Sequence, residues 1–347
     1  MRITQALCAA GPVDAVTNQG LAWRRLFQSW GWEGADYAEV LAPTMTNGSV
    51  RALRELEPGD DELLLIHYSG YAAALGPMLE RSRHSLLISH NITPARYFWA
   101  DHPLEGVRCS LGPGQLAELG RRAEGLAAVS AFNAGELREL TGREVEVVPV
   151  LFDRARLSRY TAAPTGPPTM LFVGRLAPHK RQDLVIRAFA RYRQRHAPDA
   201  RLVLVGVPIS SAFQARLRAL ADELAPGAVT IESDLPAERL WERYRTAHAF
   251  VCLSEHEGFC IPLLEAWHFG VPVIARDAGA VGEVLGDAGM LLGAEDDVDT
   301  VAELLQIVVG DHELRAELRA RGERRLEHYD PARTAALLRD RLLELAT

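Results

Sequence analysis

Several protein classes are excluded by what this chain of 347 residues lacks. No apolar run approaches the roughly 20 residues of a membrane-spanning helix, so any membrane contact is expected to be peripheral. Basic residues are not in excess. Lys and Arg number 38 against 46 Asp and Glu, and the formal net charge of −8 argues against a nucleic-acid partner. Cysteine is scarce: Cys8, Cys109, Cys252 and Cys260 show no paired metal-binding spacing, and free thiols in a reducing cytoplasm are the expected state. The opening Met1-Arg2-Ile3-Thr4-Gln5-Ala6-Leu7 is too short an apolar stretch for a signal peptide and reads as a first strand. The expectation is a cytoplasmic protein, with any membrane contact at the inner face. No solenoid-period repeat or low-complexity tract occurs, and no Gly-x-Gly-x-x-Gly opens either half, which sets a nicotinamide dehydrogenase aside.

What is present is the composition of a soluble globular protein, 48% hydrophobic and 24% charged, with length enough for two domains. Buried strands are expected at Ile3–Cys8, Leu63–His67, Ser85–Ser89, Gly125–Val129 and Val145–Val148. Between them helices are expected over 19–30, 71–83, 114–122 and 132–140. In the first helix Leu21, Ala22, Leu26, Phe27 and Trp30 make one stripe. From Asp153 to Thr169 the apolar period lapses around Pro164, Gly166, Pro167 and Pro168, which predicts a linker. The βα alternation then restarts with strands at Met170–Val173, Arg201–Val205, Ala228–Ile231, Ala249–Leu253 and Val271–Ala275. Strands that alternate with helices imply parallel sheets covered on both faces. The last helix opens at Pro331 behind a capping Asp330.

The chain is organised around Val251–Val284. There the strand breaks at Ser254-Glu255-His256-Glu257-Gly258. A helix starts near Ile261-Pro262 and stops at Gly270, and a second apolar strand follows. Such a βαβ unit turns free helix N–H groups toward the carboxyl end of the sheet, where phosphate binds well. Glu257 and Glu265 flank that helix start. An ionised carboxylate only accepts hydrogen bonds and so suits paired hydroxyl groups, as on sugars and riboses. Either glutamate alone could equally be an ordinary loop or helix residue. Upstream, Phe172-Val173-Gly174-Arg175-Leu176-Ala177-Pro178-His179-Lys180 follows a strand and leads into a helix. Gly174 permits close backbone approach, while Arg175 and Lys180 supply a planar donor fork and a point charge for phosphate.

These segments resemble the signature of family 4 retaining glycosyltransferases, in which two glutamates separated by seven residues flank the helix that holds the nucleotide-sugar diphosphate. The family pattern usually places glycine after the phenylalanine, where this chain has Cys260. The resemblance implies a GT-B architecture, an α/β fold with two doubly wound Rossmann-like domains facing a cleft and a C-terminal helix crossing back to the first domain. Residues 1–152 plus 330–347 would form the acceptor-side domain, 153–169 the linker, and 170–329 the nucleotide-sugar domain.

It further implies roles. Arg175, Lys180 and the amides of Phe259, Cys260, Ile261, Pro262 and Leu263, with Gly174 and Gly258 nearby, would hold the donor diphosphate. Glu265 would bind the ribose diol and Glu257 the donor-sugar hydroxyls. Gly206 and the segment Glu232-Ser233-Asp234-Leu235 would border the base. In the first domain His90 matches the family histidine beside the reacting carbon, while His67 would shape the acceptor side. The family's N-terminal loop usually has adjacent glycines; here Gly11 and Asn18 stand in it. His90-Asn91-Ile92-Thr93-Pro94 with Tyr97-Phe98 is also similar to polysaccharide mannosyltransferases, which points to GDP-mannose. No metal or other cofactor is implied, and no Asp-x-Asp motif is positioned for Mg²⁺. The acceptor would be a glycan, a lipid-linked glycan or a small molecule. Two other readings fit the same architecture: a nucleotide-sugar 2-epimerase, and a non-catalytic sugar-nucleotide-binding protein.

Overall fold

The computed structural model describes residues 1–43, 45, 48–56, 63–154, 157 and 164–346. The chain divides into two compact units. One comprises Met1–Arg96, Leu104–Leu151 and Tyr329–Thr347, and the other Tyr97–Pro103 with Phe152–His328. The expected domain limits differ chiefly in Tyr97–Pro103, which clusters with the second unit. The linker expected over 153–169 falls in large part, at 155, 156 and 158–163, outside the described residues.

The first unit is built on a parallel sheet of β1 (Ile3–Ala10), β2 (Asp36–Leu41), β3 (Arg51–Ala52), β4 (Leu63–Tyr68), β5 (His84–Ser89), β6 (Gly125–Ala128) and β7 (Glu146–Val147). Its order is β3-β2-β1-β4-β5-β6-β7. Strands β4 and β5, Leu-Leu-Leu-Ile-His-Tyr and His-Ser-Leu-Leu-Ile-Ser, are buried almost throughout rather than alternately, as a sheet covered on both faces requires. The covering helices are α1 (Ala15–Ser29), α2 (Leu75–Arg81), α3 (Pro103–Arg122) and α4 (Ala131–Thr141).

Two helix expectations need correction. The buried face of α1 carries Thr17, Gln19, Gly20, Trp23, Arg24 and Phe27, so of the expected stripe only Phe27 is fully buried. The buried face is set by polar pairing as well as by apolar contact, because Arg24 ion-pairs with Asp36 of β2 at 2.8 Å. Helix α3 begins eleven residues before the expected 114 and carries Pro113 inside it. A proline there has no N–H to give the ladder, and the neighbouring Gly112 carbonyl accepts a hydrogen bond from the Tyr68 hydroxyl at 2.8 Å.

The second unit repeats the plan with β8 (Thr169–Val173), β9 (Arg201–Val205), β10 (Val229–Glu232), β11 (Ala249–Cys252), β12 (Val273–Arg276) and β13 (Met290–Leu292), in the order β10-β9-β8-β11-β12-β13. Its helices are α5 (Gln182–Arg195), α6 (Ser211–Leu224), α7 (Ala237–Thr246), α8 (Ile261–His268), α9 (Val281–Leu285), α10 (Val298–Gly310) and α11 (His312–Glu327). The final helix α12 (Pro331–Leu345) belongs to the first unit and packs against β5. Among the described residues no helix is long and apolar enough to cross a membrane. In each sheet the strand order reverses once, between β1 and β4 and between β8 and β11. In doubly wound sheets ligands bind outside the carboxyl ends of the strands at that reversal.

Candidate active site

The loops that leave β8 and β11 meet at the reversal of the second sheet. After β8 the chain is pinned to its neighbour: Gly174 donates its N–H to Val205 O at 2.9 Å, and Leu176 donates to Val207 O at 2.9 Å. The approach is so close that a Cβ on Gly206 would lie 1.8 Å from Gly174 O, so glycine is obligatory there. Gly206 thus permits the close backbone packing of the turns after β8 and β9. Arg175 is exposed and makes no ion pair among the described residues. A short 3-10 turn over Pro178–Lys180 then brings Lys180 inward, and Arg181 turns the chain into α5 with φ of 50°.

Lys180 Nζ donates to Glu257 Oε2 at 2.6 Å, with the two side chains 18% and 8% exposed. Burial opposes the charge on Lys180, but the Glu257 carboxylate outweighs it and the ammonium is held above its ordinary pKa. The other oxygen, Oε1, accepts from the buried Ser254 hydroxyl at 2.7 Å. The loop itself is clamped by backbone. Ala280 donates to Glu257 O at 2.9 Å, and a Cβ on Gly279 would lie 2.2 Å from that oxygen. Two further ties join the loops, from Arg181 to Glu255 and from Glu255 N to His179 O at 2.8 Å. Desolvating a Lys–Glu pair offsets much of its attraction, so the pair is better understood as charge held at a site than as a source of stability.

Helix α8 starts at Ile261 behind Cys260, whose φ is 72°. Of the five amides expected to hold phosphate, Pro262 has no N–H and Leu263 already donates to Cys260 O at 3.1 Å. Phe259 is buried, and Cys260 and Ile261 stand at the helix opening. Glu265, one turn on, accepts from the Tyr244 hydroxyl of α7 through Oε2 at 2.6 Å, leaving Oε1 without a donor among the described residues. Burial raises the Glu265 pKa, and the Tyr244 hydrogen bond opposes the rise. The segment expected to border a base is partly engaged elsewhere, since Glu232 takes two hydrogen bonds from Arg243 at 2.7 and 2.5 Å.

In the first unit the reversal lies between β1 and β4, and the expected residues there separate. Gly11 donates its N–H to Thr17 Oγ1 at 3.1 Å inside the turn that Asp14 caps, and Asn18 is exposed. His67 corrects its expected role, because it is fully buried and cannot line an acceptor surface. It sits instead in a chain of side chains that ends at His90. Arg24 donates to Asp36 Oδ1 at 2.9 and 2.8 Å, and Gln5 Nε2 donates to the same oxygen at 2.7 Å and to Gly20 O at 3.0 Å.

With its nitrogen so used, Gln5 presents Oε1 to His67 Nε2 at 2.8 Å, and an amide oxygen only accepts. The network therefore assigns the His67 proton to Nε2, leaving Nδ1 to accept from His90 Nε2 at 2.9 Å. His90 is left with its Nδ1 lone pair bare. Burial, then the neighbouring His90 and Arg24, push the His67 pKa well below its ordinary value, and burial lowers that of His90 to about 3, so both stay neutral. Sequence reasoning missed Gln5, Arg24, Asp36, Tyr244, Ser254 and Cys252. Cys252 and Ser254 lay inside Val251–Val284 and Gln5 inside the first expected strand, but none of the three was given a role.

With this geometry in place, three comparisons bear on it. Residues 153–325 match the family model of glycosyl transferases group 1. A D-inositol 3-phosphate glycosyltransferase of Acidothermus cellulolyticus is 31% identical over 323 residues, covering 80% of this chain and 71% of that one. One from Nocardia farcinica is 31% identical over 325 residues, covering 86% and 69%. Among solved structures, Anabaena HepE in complex with UDP-glucose superposes with a TM-score of 0.78 at 16% identity, over 99% and 100% of the two chains. Sucrose-phosphate synthase from Thermosynechococcus elongatus gives 0.75 at 16% identity over the whole of both chains. The two units are thus the Rossmann-like halves of a GT-B fold, and the match to transferases leaves the epimerase and the non-catalytic binder unfavoured. By its sequence relatives and its family model, this chain belongs to the group 1 glycosyl transferases.

Proposed function

We propose that the enzyme transfers a hexose from a nucleotide-diphosphate sugar to a hydroxyl acceptor with retention at the anomeric carbon, using no metal or other cofactor. The observation that carries this reading is the Lys180–Glu257 pair, a partly buried cation on a buried carboxylate, held where the second sheet reverses. Lys180 and the exposed Arg175 would neutralise the diphosphate as it leaves, where fixed positive charge lowers the barrier. The backbone at Cys260 and Ile261 would support the same phosphates. Glu257 would accept hydrogen bonds from donor-sugar hydroxyls on the lone pairs that Lys180 and Ser254 leave unused, and Glu265 from the ribose through Oε1. His90 would offer its bare Nδ1 to a hydroxyl of the donor sugar, an acceptor role that a neutral imidazole can fill at any physiological pH.

Mannose from GDP-mannose remains our first donor, on the similarity of residues 90–98 to polysaccharide mannosyltransferases. Glucose from UDP-glucose is the second, favoured by the HepE complex. For the acceptor, the names of the relatives favour a phosphorylated cyclitol. The test is release of nucleoside diphosphate from GDP-, UDP-, ADP- and dTDP-hexoses with inositol phosphate or a glycan as acceptor, with NMR of the product anomer. Transfer with inverted configuration, or none from any donor, would defeat the proposal.

A further inference from the structure

Directly beneath the carboxylate of Glu257 lie two thiols. Cys252 closes β11 and Cys260 precedes α8, eight positions on, and the loop folds them together. Their sulfurs are 3.8 Å apart, and Cys252 Sγ is 3.8 Å from Glu257 Oε1. One ligand atom from each of the three residues falls within 4.8 Å of the others, and all three residues are buried. Zinc binds thiolate sulfur at about 2.3 Å in a tetrahedron, which sets neighbouring sulfurs about 3.8 Å apart. The thiol pair already spans one edge of that figure. Glu257 can supply the third ligand without releasing Lys180, because Lys180 holds Oε2 and the thiols face Oε1. Ser254 Oγ, 3.3 Å from Cys252 Sγ and 2.7 Å from Glu257 Oε1, borders the remaining position.

A second observation bears on Cys260. Its φ of 72° is the left-handed conformation that a side chain resists and glycine adopts freely. A strained residue that the backbone would gladly exchange for glycine needs a use for its side chain.

We propose that Cys252, Glu257 and Cys260 form a binding site for a thiophilic divalent cation of the zinc class, and that its occupation withdraws Glu257 from the donor sugar and so inhibits transfer. Binding converts two thiols to thiolates and releases two protons to the buffer. The inhibition rests on the function proposed above; the binding does not.

The experiment uses the reduced, metal-free protein titrated anaerobically with Co²⁺. One equivalent should produce thiolate-to-cobalt absorption in the near ultraviolet and tetrahedral bands in the visible, both erased by one equivalent of Zn²⁺. Cys252→Ala and Cys260→Gly should each abolish the absorption, whereas Cys8→Ala and Cys109→Ala should leave it unchanged. In parallel, Zn²⁺ should raise the apparent KM for donor at least tenfold in the natural protein and less than twofold in Cys252→Ala. Absence of the thiolate band, or its survival in Cys252→Ala, overturns the site. Zinc inhibition equal in the two proteins overturns the link to Glu257. If no donor is turned over at all while the cobalt spectrum appears, the function proposed above fails and the metal site stands.

Discussion

The two sheets reverse strand order at matching places, yet each puts a different kind of polar cluster there. In the second unit the charges themselves stand at the site, with Lys180 on Glu257 and Ser254, two thiols and the clamped loop behind them. In the first unit the charges are set back. Arg24 and Asp36 anchor a neutral chain through Gln5 and His67, and what reaches the end is an uncharged His90 with one lone pair bare. The difference teaches how one chain can divide labour. A full charge meets charge that develops in a reaction, whereas a distant charge, acting through hydrogen bonds, fixes only the direction of a donor or acceptor.

Substitutions that strike one cluster and spare the other break the comparison most sharply. Lys180→Ala should lower kcat by about 10²–10³-fold, or about 3–4 kcal/mol, the scale of a lost electrostatic donor at a reacting centre. Steady-state kinetics with saturating donor would show it, and an unchanged kcat would deny Lys180 any part in the chemistry. Glu257→Ala leaves the partly buried Lys180 ammonium unpaired and should cost about 3 kcal/mol of stability by urea unfolding, the low end for such a loss.

Gln5→Met tests the other cluster. It strands the His67 Nε2–H without an acceptor, for an expected loss of about 1–3 kcal/mol. Its distinguishing readout is ¹⁵N NMR of the imidazoles. In the natural protein His90 should carry its proton on Nε2, and in Gln5→Met that preference should weaken. A His90 already protonated on Nδ1 would contradict the network.

Acid should separate the clusters further. His90, with a folded pKa of about 3, His179, held down to about 2 by burial and then by Lys180, His256 and Arg175, and His67, also depressed, resist protons that the unfolded chain takes up below 6.5. Their stabilisation is complete above that pH and is lost as the pH falls toward 3, at up to about 1.4 kcal/mol per unit for each. His90→Gln keeps a donor for His67 and should make the decline between pH 6.5 and 4.5 measurably shallower; parallel unfolding curves would refute the assignment. The smallest effect belongs to Tyr244→Phe, which removes one hydrogen bond from Glu265 and should weaken donor binding by about fivefold, or ~1 kcal/mol.

The parts of the molecule that were legible in the sequence share a physical cause. Continuous apolar runs such as Leu63–Ile66 and Phe250–Cys252 announce strands buried on both faces, and Gly270 with φ of 66° ends α8 where the glycine foretold. Strand β2 has Asp36 and Glu39 interrupting its apolar residues, β13 spans only three residues and α11 buries only Leu318, Gly322 and Leu326, so no apolar pattern announces them. The motif around Glu257 and Glu265 was visible because its spacing is local. Its partners were not, since Tyr244 reaches Glu265 from another helix and Lys180 reaches Glu257 across 77 residues. Gln5 and His67 meet only because β1 pairs with β4, a neighbourhood that no spacing in the chain announces. The α1 stripe misled for the same reason, because Arg24 is buried by a partner on another strand.

The central claim is that Lys180 and Glu257 mark the seat of a nucleotide diphosphate. Isothermal titration of GDP and UDP into the natural protein and into Lys180→Ala tests it without any need to know the acceptor. The account predicts saturable binding of at least one of the two, weakened by tenfold or more in Lys180→Ala. Binding of equal strength to both proteins would contradict it.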